Sequence, residues 1–77
     1  MFIIITVETE KGSADIRIDS EQKIGVGLQV LREAGRLPHG QSPDFFRSKL
    51  NETLVSAHKS FREENIFDGD VLKAIGA

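Results

Sequence analysis

The two imidazoles are the first side chains to consider for chemistry, because the sequence contains only His39 and His58. A metal site would require both to converge with carboxylates such as Asp44. The spacing of these residues matches no compact ligand pattern. We therefore interpret both histidines as surface residues and expect no metal or other cofactor.

Acidic and hydroxyl side chains offer three further chemistries, and none has the context it needs. Asp68-Gly69-Asp70 has the spacing that opens a calcium loop, but that loop requires more oxygen ligands and a bidentate Glu, so we predict a turn. Glu63 and Glu64 are adjacent on a polar segment, where paired acids rarely keep a fixed separation. No serine has the glycine-rich elbow or the neighbouring base of an acyl-transfer enzyme. We predict a protein that is not an enzyme.

Gly25-Val-Gly27 is the only glycine pattern that suggests a nucleotide. It lacks the third glycine of a dinucleotide fingerprint and the preceding strand of a Rossmann unit. We interpret it as a packing feature, in which Gly27 allows the first turn of a helix to approach a sheet closely.

Composition excludes several classes of function. The chain has 77 residues, no cysteine and a net charge of −2, which suits one compact domain without disulfides or thiolate metal sites. Basic residues are scattered rather than clustered, so we expect no nucleic-acid binding. The longest apolar run, Phe2–Ile5, is too short to span a membrane or to form a signal peptide. We expect a cytoplasmic protein without membrane insertion.

The first half of the chain predicts a hairpin followed by a helix. Residues 2–7 are rich in β-branched and aromatic side chains, and residues 14–19 alternate apolar and polar. Asp19 with Gln22 resembles a capping box at a helix start. Ile24, Leu28 and Leu31 then lie on one helical face, which Ala34 continues. Gly35 is expected to end the helix in a left-handed conformation, and Pro38 to prevent its resumption.

The second half predicts three short strands. Residues 45–50 and 53–56 flank Asn51-Glu52 as a second hairpin, and Lys59–Asn65 is a polar loop anchored by Phe61. Asp68-Gly69 marks a turn before a last strand at residues 71–75. The order β-β-α-β-β-β gives an α+β domain over residues 1–77, in which one helix covers one face of a mixed sheet.

The whole chain resembles the ubiquitin-like β-grasp family. The segments that carry the resemblance are the strand at the start, Asp19-Ser20 leading into the helix that ends at Gly35, and Asn65-Ile66 before the last strand. Leu50–Val55 and Asn65–Lys73 are similar, without gaps, to the small YukD-like ubiquitin-like proteins of the type VII (WXG100) secretion system.

The resemblance implies an inward set and an outward set of residues. The inward set is Ile3, Ile5, Val7, Ile16, Ile18, Ile24, Leu28, Leu31, Leu50, Val55, Phe61, Ile66 and Leu72.

The first, fifth and third strands are adjacent in this fold, so their outward residues are expected to lie together. We predict an apolar strip rimmed by basic residues as the partner site: Phe2, Ile4, Arg47, Lys49, Lys73 and Ile75. Scattered exposed apolar residues are common on surfaces, which is the alternative interpretation. Lys49 occupies the centre of the surface that ubiquitin itself uses, so ubiquitin receptors are not expected to bind.

The resemblance also implies what the protein does. Conjugated and sulfur-carrying relatives end in Gly-Gly, whereas this sequence ends Ile75-Gly76-Ala77, which disfavours a modifier activated at its C-terminus. The leading hypothesis is an accessory or regulatory interaction module of a bacterial type VII secretion system. It would bind soluble domains of secretion membrane subunits or the ATPase without a covalent bond. The alternatives are a modifier or sulfur carrier and a β-grasp adaptor unrelated to secretion.

Overall fold

The computed structural model of the protein describes residues 1–36 and 44–75. Within these residues, five strands and one helix form in the predicted order. They are β1 (Phe2–Thr9), β2 (Gly12–Asp19), α1 (Ile24–Glu33), β3 (Phe45–Ser48), β4 (Thr53–Ser56) and β5 (Val71–Ala74). The predictions for Pro38, His39 and Pro43 lie outside the described residues, as do those for Gly76 and Ala77.

The strands form one mixed sheet in the order β2-β1-β5-β3-β4. β1 pairs antiparallel with β2 along its whole length and parallel with β5, while β3 pairs antiparallel with both β4 and β5. β1, β5 and β3 are therefore adjacent interior strands, as the resemblance implied. The sheet edges are formed by β2 and β4.

The helix begins later than the sequence suggested. Its N-cap is Lys23, which makes no side-chain capping bond. Asp19 Oδ1 instead accepts from the Glu21 amide at 3.0 Å, so the predicted capping box is wrong and this carboxylate closes the turn between β2 and the helix. The predicted end at Gly35 is confirmed, because Gly35 has φ 76° and the Arg36 amide donates to the Leu31 carbonyl at 2.8 Å. This bond is typical of a Schellman motif.

At Gly27 the helix approaches the Ile18 side chain of β2 closely. A Cβ atom on Gly27 would lie 2.5 Å from Ile18 Cδ1 and 3.1 Å from Gln22 Cγ. Gly25 faces the chain after β4, since its amide donates to the Ala57 carbonyl at 2.8 Å. The close approach predicted from the glycine pattern is confirmed, and both glycines allow the helix to approach neighbouring segments.

The core lies between the helix and the inner sheet face. Most of the predicted inward residues are buried, but Leu31 is only partly buried and Leu50 is 61% exposed. Leu50 was wrongly assigned because β3 ends at Ser48, so residue 50 belongs to the turn and no longer follows the strand alternation. Phe46 and Ala57, which the sequence analysis missed, fill the core at this end of the sheet.

The segment between β4 and β5 is a series of turns, as predicted, with Phe61 fully buried as its anchor. Ser60 and Glu63 form a reciprocal capping box: the Glu63 amide donates to Ser60 Oγ, and the Ser60 amide donates to Glu63 Oε1, both at 3.0 Å. The hydrogen bond from the Ser60 amide is the main cause of the lowered pKa of the Glu63 carboxyl.

Candidate interaction surface

The sheet face opposite the helix carries the predicted partner residues. Alternation along each strand places the odd-numbered residues of β1 in the core and its even-numbered residues on this outer face. Phe2 is 59% exposed and Ile4 is 54% exposed. Arg47, Lys49, Lys73 and Ile75 are also exposed, so all six predicted side chains are accessible to a partner.

Phe2 and Ile4 lie at one end of the outer face, beside β2. The Arg17 guanidinium lies over the Phe2 ring at 4.5 Å from its centroid, within the range of a cation–π interaction. Ile4 is held in place by the turn before β5, because its amide donates to Asp68 Oδ1 at 2.7 Å. We call Phe2, Ile4 and Arg17 the N-terminal patch.

The predicted continuous strip is wrong, because Ile75 lies at the other end of the sheet. The parallel register pairs Glu8 with Lys73, so Ile75, two residues further along β5, is level with residue 10 of the first strand. Ile4 is six residues short of that level, which is roughly 20 Å along the strand direction. Phe2 and Ile4 therefore cannot share one apolar spot with Ile75.

Ile75 instead joins two exposed apolar residues of β3 and β4. Its amide donates to the Phe45 carbonyl at 3.4 Å, and Phe45 lies diagonally across the β3–β4 pair from Leu54. Phe45, Leu54 and Ile75 are 47%, 56% and 44% exposed. The sequence analysis missed Phe45 and Leu54, although alternation from the outward Arg47 is the signal that places Phe45 on this face.

Two cations lie beside these apolar residues. Arg47 pairs directly with Lys73 across β3 and β5 and with Leu54 across β3 and β4. Within the described part of the chain, neither Arg47 nor Lys73 has a carboxylate partner. We call Phe45, Arg47, Leu54, Lys73 and Ile75 the basic patch.

Lys49, a predicted partner residue, is exposed and forms an ion pair within the chain. Its Nζ lies 3.1 Å from Glu8 Oε1, so its side chain reaches over β5 to an acid on β1. Three cations, Arg47, Lys49 and Lys73, thus lie around one carboxylate. This part of the surface has an excess of positive charge although the chain as a whole is acidic.

Asp70 links two of the strands that carry the basic patch, β3 and β5. Its carboxyl group is fully buried and accepts from the Ser48 hydroxyl at 2.6 Å. It also accepts from the Leu50 amide at 3.1 Å and the Val71 amide at 2.6 Å. Asp70 therefore joins the end of β3 to the start of β5, and its role is structural.

Acidic groups lie around the N-terminal patch. Asp15 and Asp19 alternate with Arg17 on the outer face of β2. Asp19 accepts from the Glu21 amide, which is the main cause of its lowered pKa, and it also pairs with the Met1 amino group at 3.2 Å. The outer face therefore carries mostly acidic residues on its β2 side and mostly cations on its β3 side.

The sheet edges differ in how open they are to an added strand. On β4, the Ser56 amide donates to Glu64 Oε2 at 2.7 Å, so a side chain already occupies that edge. On β1, the Ile4 carbonyl and the Thr6 amide form hydrogen bonds with the residues just before β5. Ile4 and Thr6 therefore form no backbone hydrogen bonds with Arg17 and Asp15, which lie opposite them on β2. In an antiparallel pair, the backbone groups of Arg17 and Asp15 then point outward from the β2 edge. The long β2 edge is the more open one, and it carries charged side chains that discourage aggregation.

The structure brings His58 close to the carboxylate named in the sequence analysis. His58 Nε2 lies 3.6 Å from Asp44 Oδ1, and both side chains are more than 70% exposed. Residues 1–36 and 44–75 contain no group of three metal-ligating side chains. In the same residues, no helix has the length and apolar character needed to cross a membrane.

Comparison with known proteins shows the fold. The structure is similar along its whole length to the EccD5 ubiquitin-like domain from Mycobacterium xenopi, with a TM-score of 0.55 and 19% sequence identity. The match covers 100% of this chain and 98% of that domain. No protein-family model matches the sequence, and no curated protein sequence matches it. The predicted ubiquitin-like β-grasp, an α+β fold with a mixed sheet on one helix, is confirmed.

Proposed function

We propose that residues 1–77 act as one non-catalytic ubiquitin-like interaction module of a type VII secretion system. The observation that carries the proposal is the end-to-end likeness in fold to a ubiquitin-like domain of EccD5, a type VII secretion component. The sequence resemblance of Leu50–Val55 and Asn65–Lys73 to small ubiquitin-like secretion proteins supports the same assignment. The role is accessory or regulatory, and the site of action is the cytoplasm.

The outer sheet face is the proposed contact surface. Large apolar side chains with charged neighbours often mark protein-binding sites, and this face has two such groups, the N-terminal patch and the basic patch. Binding is non-covalent, and the partner is a soluble domain of a secretion membrane subunit or of the secretion ATPase. The likeness in fold supports a protein partner without identifying it.

Affinity purification from the native host tests this proposal. The chain would carry an N-terminal tag, and captured proteins would be separated on a denaturing gel and identified by mass spectrometry. We expect recovery of a secretion membrane subunit or ATPase that separates from the chain under denaturing conditions. Capture that never includes a secretion component would contradict the proposal.

A variant without Gly76 and Ala77 is the matched control for covalent action. We expect it to capture the same proteins as the full chain, because non-covalent binding through the sheet does not use the terminal carboxylate. A ladder of covalent adducts that disappears in this variant would instead show a modifier activated at its C-terminus.

A further inference from the structure

The basic patch combines exposed apolar side chains with two cations, Arg47 and Lys73, that form no ion pair within the described residues. Arg47 and Lys73 occupy directly opposed positions on β3 and β5, where like charges destabilise a sheet. Glu8 lies opposite Lys73 on β1, but its carboxylate forms its ion pair with Lys49, at 3.1 Å, so three cations share one acid. An arriving carboxylate would therefore relieve a repulsion that the folded chain retains.

We propose that the basic patch binds a protein segment in which Asp or Glu lies next to a large apolar side chain. This inference rests on the proposed function and specifies the chemistry of its partner. The acidic side chain would bind between Arg47 and Lys73, since the planar guanidinium suits two-point contact with a carboxylate. The apolar side chain would pack on Phe45, Leu54 and Ile75, which border the two cations.

The arrangement of the patch favours a narrow protein segment over a lipid surface. Cations attract an anionic membrane, but a flat surface would also meet Asp15 and Asp19, which project from the same sheet face near β2. A single extended or helical segment can follow β3 and β4 without approaching those acids.

The N-terminal patch is a weaker candidate for the same partner. Its cation, Arg17, already lies over the Phe2 ring, and it is flanked by Asp15 and Asp19 rather than by free cations. A carboxylate arriving there would meet like charge. This difference makes the N-terminal patch the internal control for the basic patch.

Selection from a phage-displayed library of random 12-residue peptides tests the proposal on the intact chain. We expect the enriched peptides to share Asp or Glu beside Leu, Ile or Phe. Amide chemical shifts in an NMR titration with the best synthetic peptide should change on β3, β4 and β5. Enrichment of basic or uncharged peptides, or shifts confined to Phe2 and Ile4, would overturn the proposal. Failure to enrich any binder, from a library that yields binders to another ubiquitin-like domain, would also overturn it.

Charge reversal identifies the cations responsible. The double variant R47E/K73E should raise the Kd of the selected peptide at least about tenfold, which corresponds to about 1.4 kcal/mol. A peptide whose acids are replaced by Lys should regain binding to this variant. The matched control K11E/K59E reverses two exposed cations outside the patch and should leave Kd unchanged. Equal losses in both double variants, or no rescue, would exclude a specific contact.

Two further measurements test whether the basic patch binds a membrane or a second copy of the chain. The chain should not sediment with vesicles of phosphatidylserine and phosphatidylcholine, and its sedimentation coefficient should not depend on its concentration. Vesicle binding or self-association that is abolished by R47E/K73E would overturn the proposal in favour of a membrane or a second copy. Neither experiment uses secretion proteins, so failure here leaves the outcome of the affinity purification unaffected.

Discussion

The two ends of the outer sheet face look alike in composition but differ in how their charges are used. The N-terminal patch and the basic patch each place exposed apolar side chains beside cations. In the first, Arg17 contacts Phe2 and acidic neighbours lie close by. In the second, Arg47 faces Lys73. The contrast shows that exposed apolar residues alone do not identify a binding site, because a charged residue beside them can already be paired within the protein.

The strands that carry the two patches are also held by different contacts. The basic patch lies on strands joined by the buried Asp70 carboxyl group, whereas the β1–β2 end rests on apolar packing where Gly27 meets Ile18. Each of these contacts can be removed separately.

Loss of the Asp70 carboxyl group should have the largest effect. Asp70→Ala removes the acceptor for one hydroxyl and two amides, and we expect it to lower the free energy of unfolding by roughly 2–4 kcal/mol. Urea denaturation followed by circular dichroism measures this change. Asp70→Asn is the control, because its amide oxygen can still accept from the two backbone amides, and it should lose less stability. Equal losses in the two variants would exclude the hydrogen-bond explanation.

Filling the space at Gly27 should disturb the packing of the helix on β2. Gly27→Leu would force a side chain into Ile18 and Gln22, and we expect a loss of about 1–3 kcal/mol from overpacking. Thermal and urea unfolding test it against Val26→Leu, which enlarges an exposed position on the same helix. If both variants are as stable as the parent chain, the close approach does not contribute to stability.

Removal of the Arg17 side chain tests whether that cation is held by Phe2. We expect Arg17→Ala to lower the free energy of unfolding by about 0.5–1 kcal/mol through loss of the cation–π contact. A double-mutant cycle with Phe2→Ser isolates the pairwise energy, and Lys11→Ala controls for loss of an exposed cation. A coupling energy of zero would remove the distinction between the two patches.

Acid titration should produce the smallest change, and it should come from Asp19 and Glu63. Folding lowers the pKa of Asp19 through the Glu21 amide and that of Glu63 through the Ser60 amide. A carboxyl group whose pKa is lowered by folding stabilises the protein at pH values above its unfolded pKa, which is 3.8 for Asp19 and 4.5 for Glu63. That contribution is lost as the pH falls through the folded values. The Tm should therefore decrease on acidification below about pH 4.5, and less so in Asp19→Asn. Glu10→Gln, in the β1–β2 turn, is the control and should follow the parent curve.

Several features were predictable because they depend on neighbours in sequence. The helix end at Gly35 requires only a residue that accepts positive φ, and the inward positions of β1 and β2 follow from alternation. The close approach at Gly27 was also predictable, since a glycine inside a helix lowers its stability unless packing requires it. The helix start was misplaced because Asp19 closes a preceding turn with the same type of hydrogen bond that a helix cap makes.

The order of elements, the two-layer class and most of the core follow from the sequence, because hydrophobic periodicity and turn residues act over a few positions. Which outward residues lie together depends on the tertiary structure. The parallel register of β1 and β5 separates Ile75 from Phe2, and the length of Lys49 allows it to reach Glu8 across β5. Strand register depends on contacts between residues far apart in the chain. Local patterns therefore indicated the exposed residues of the face but not that they divide into two patches of different charge.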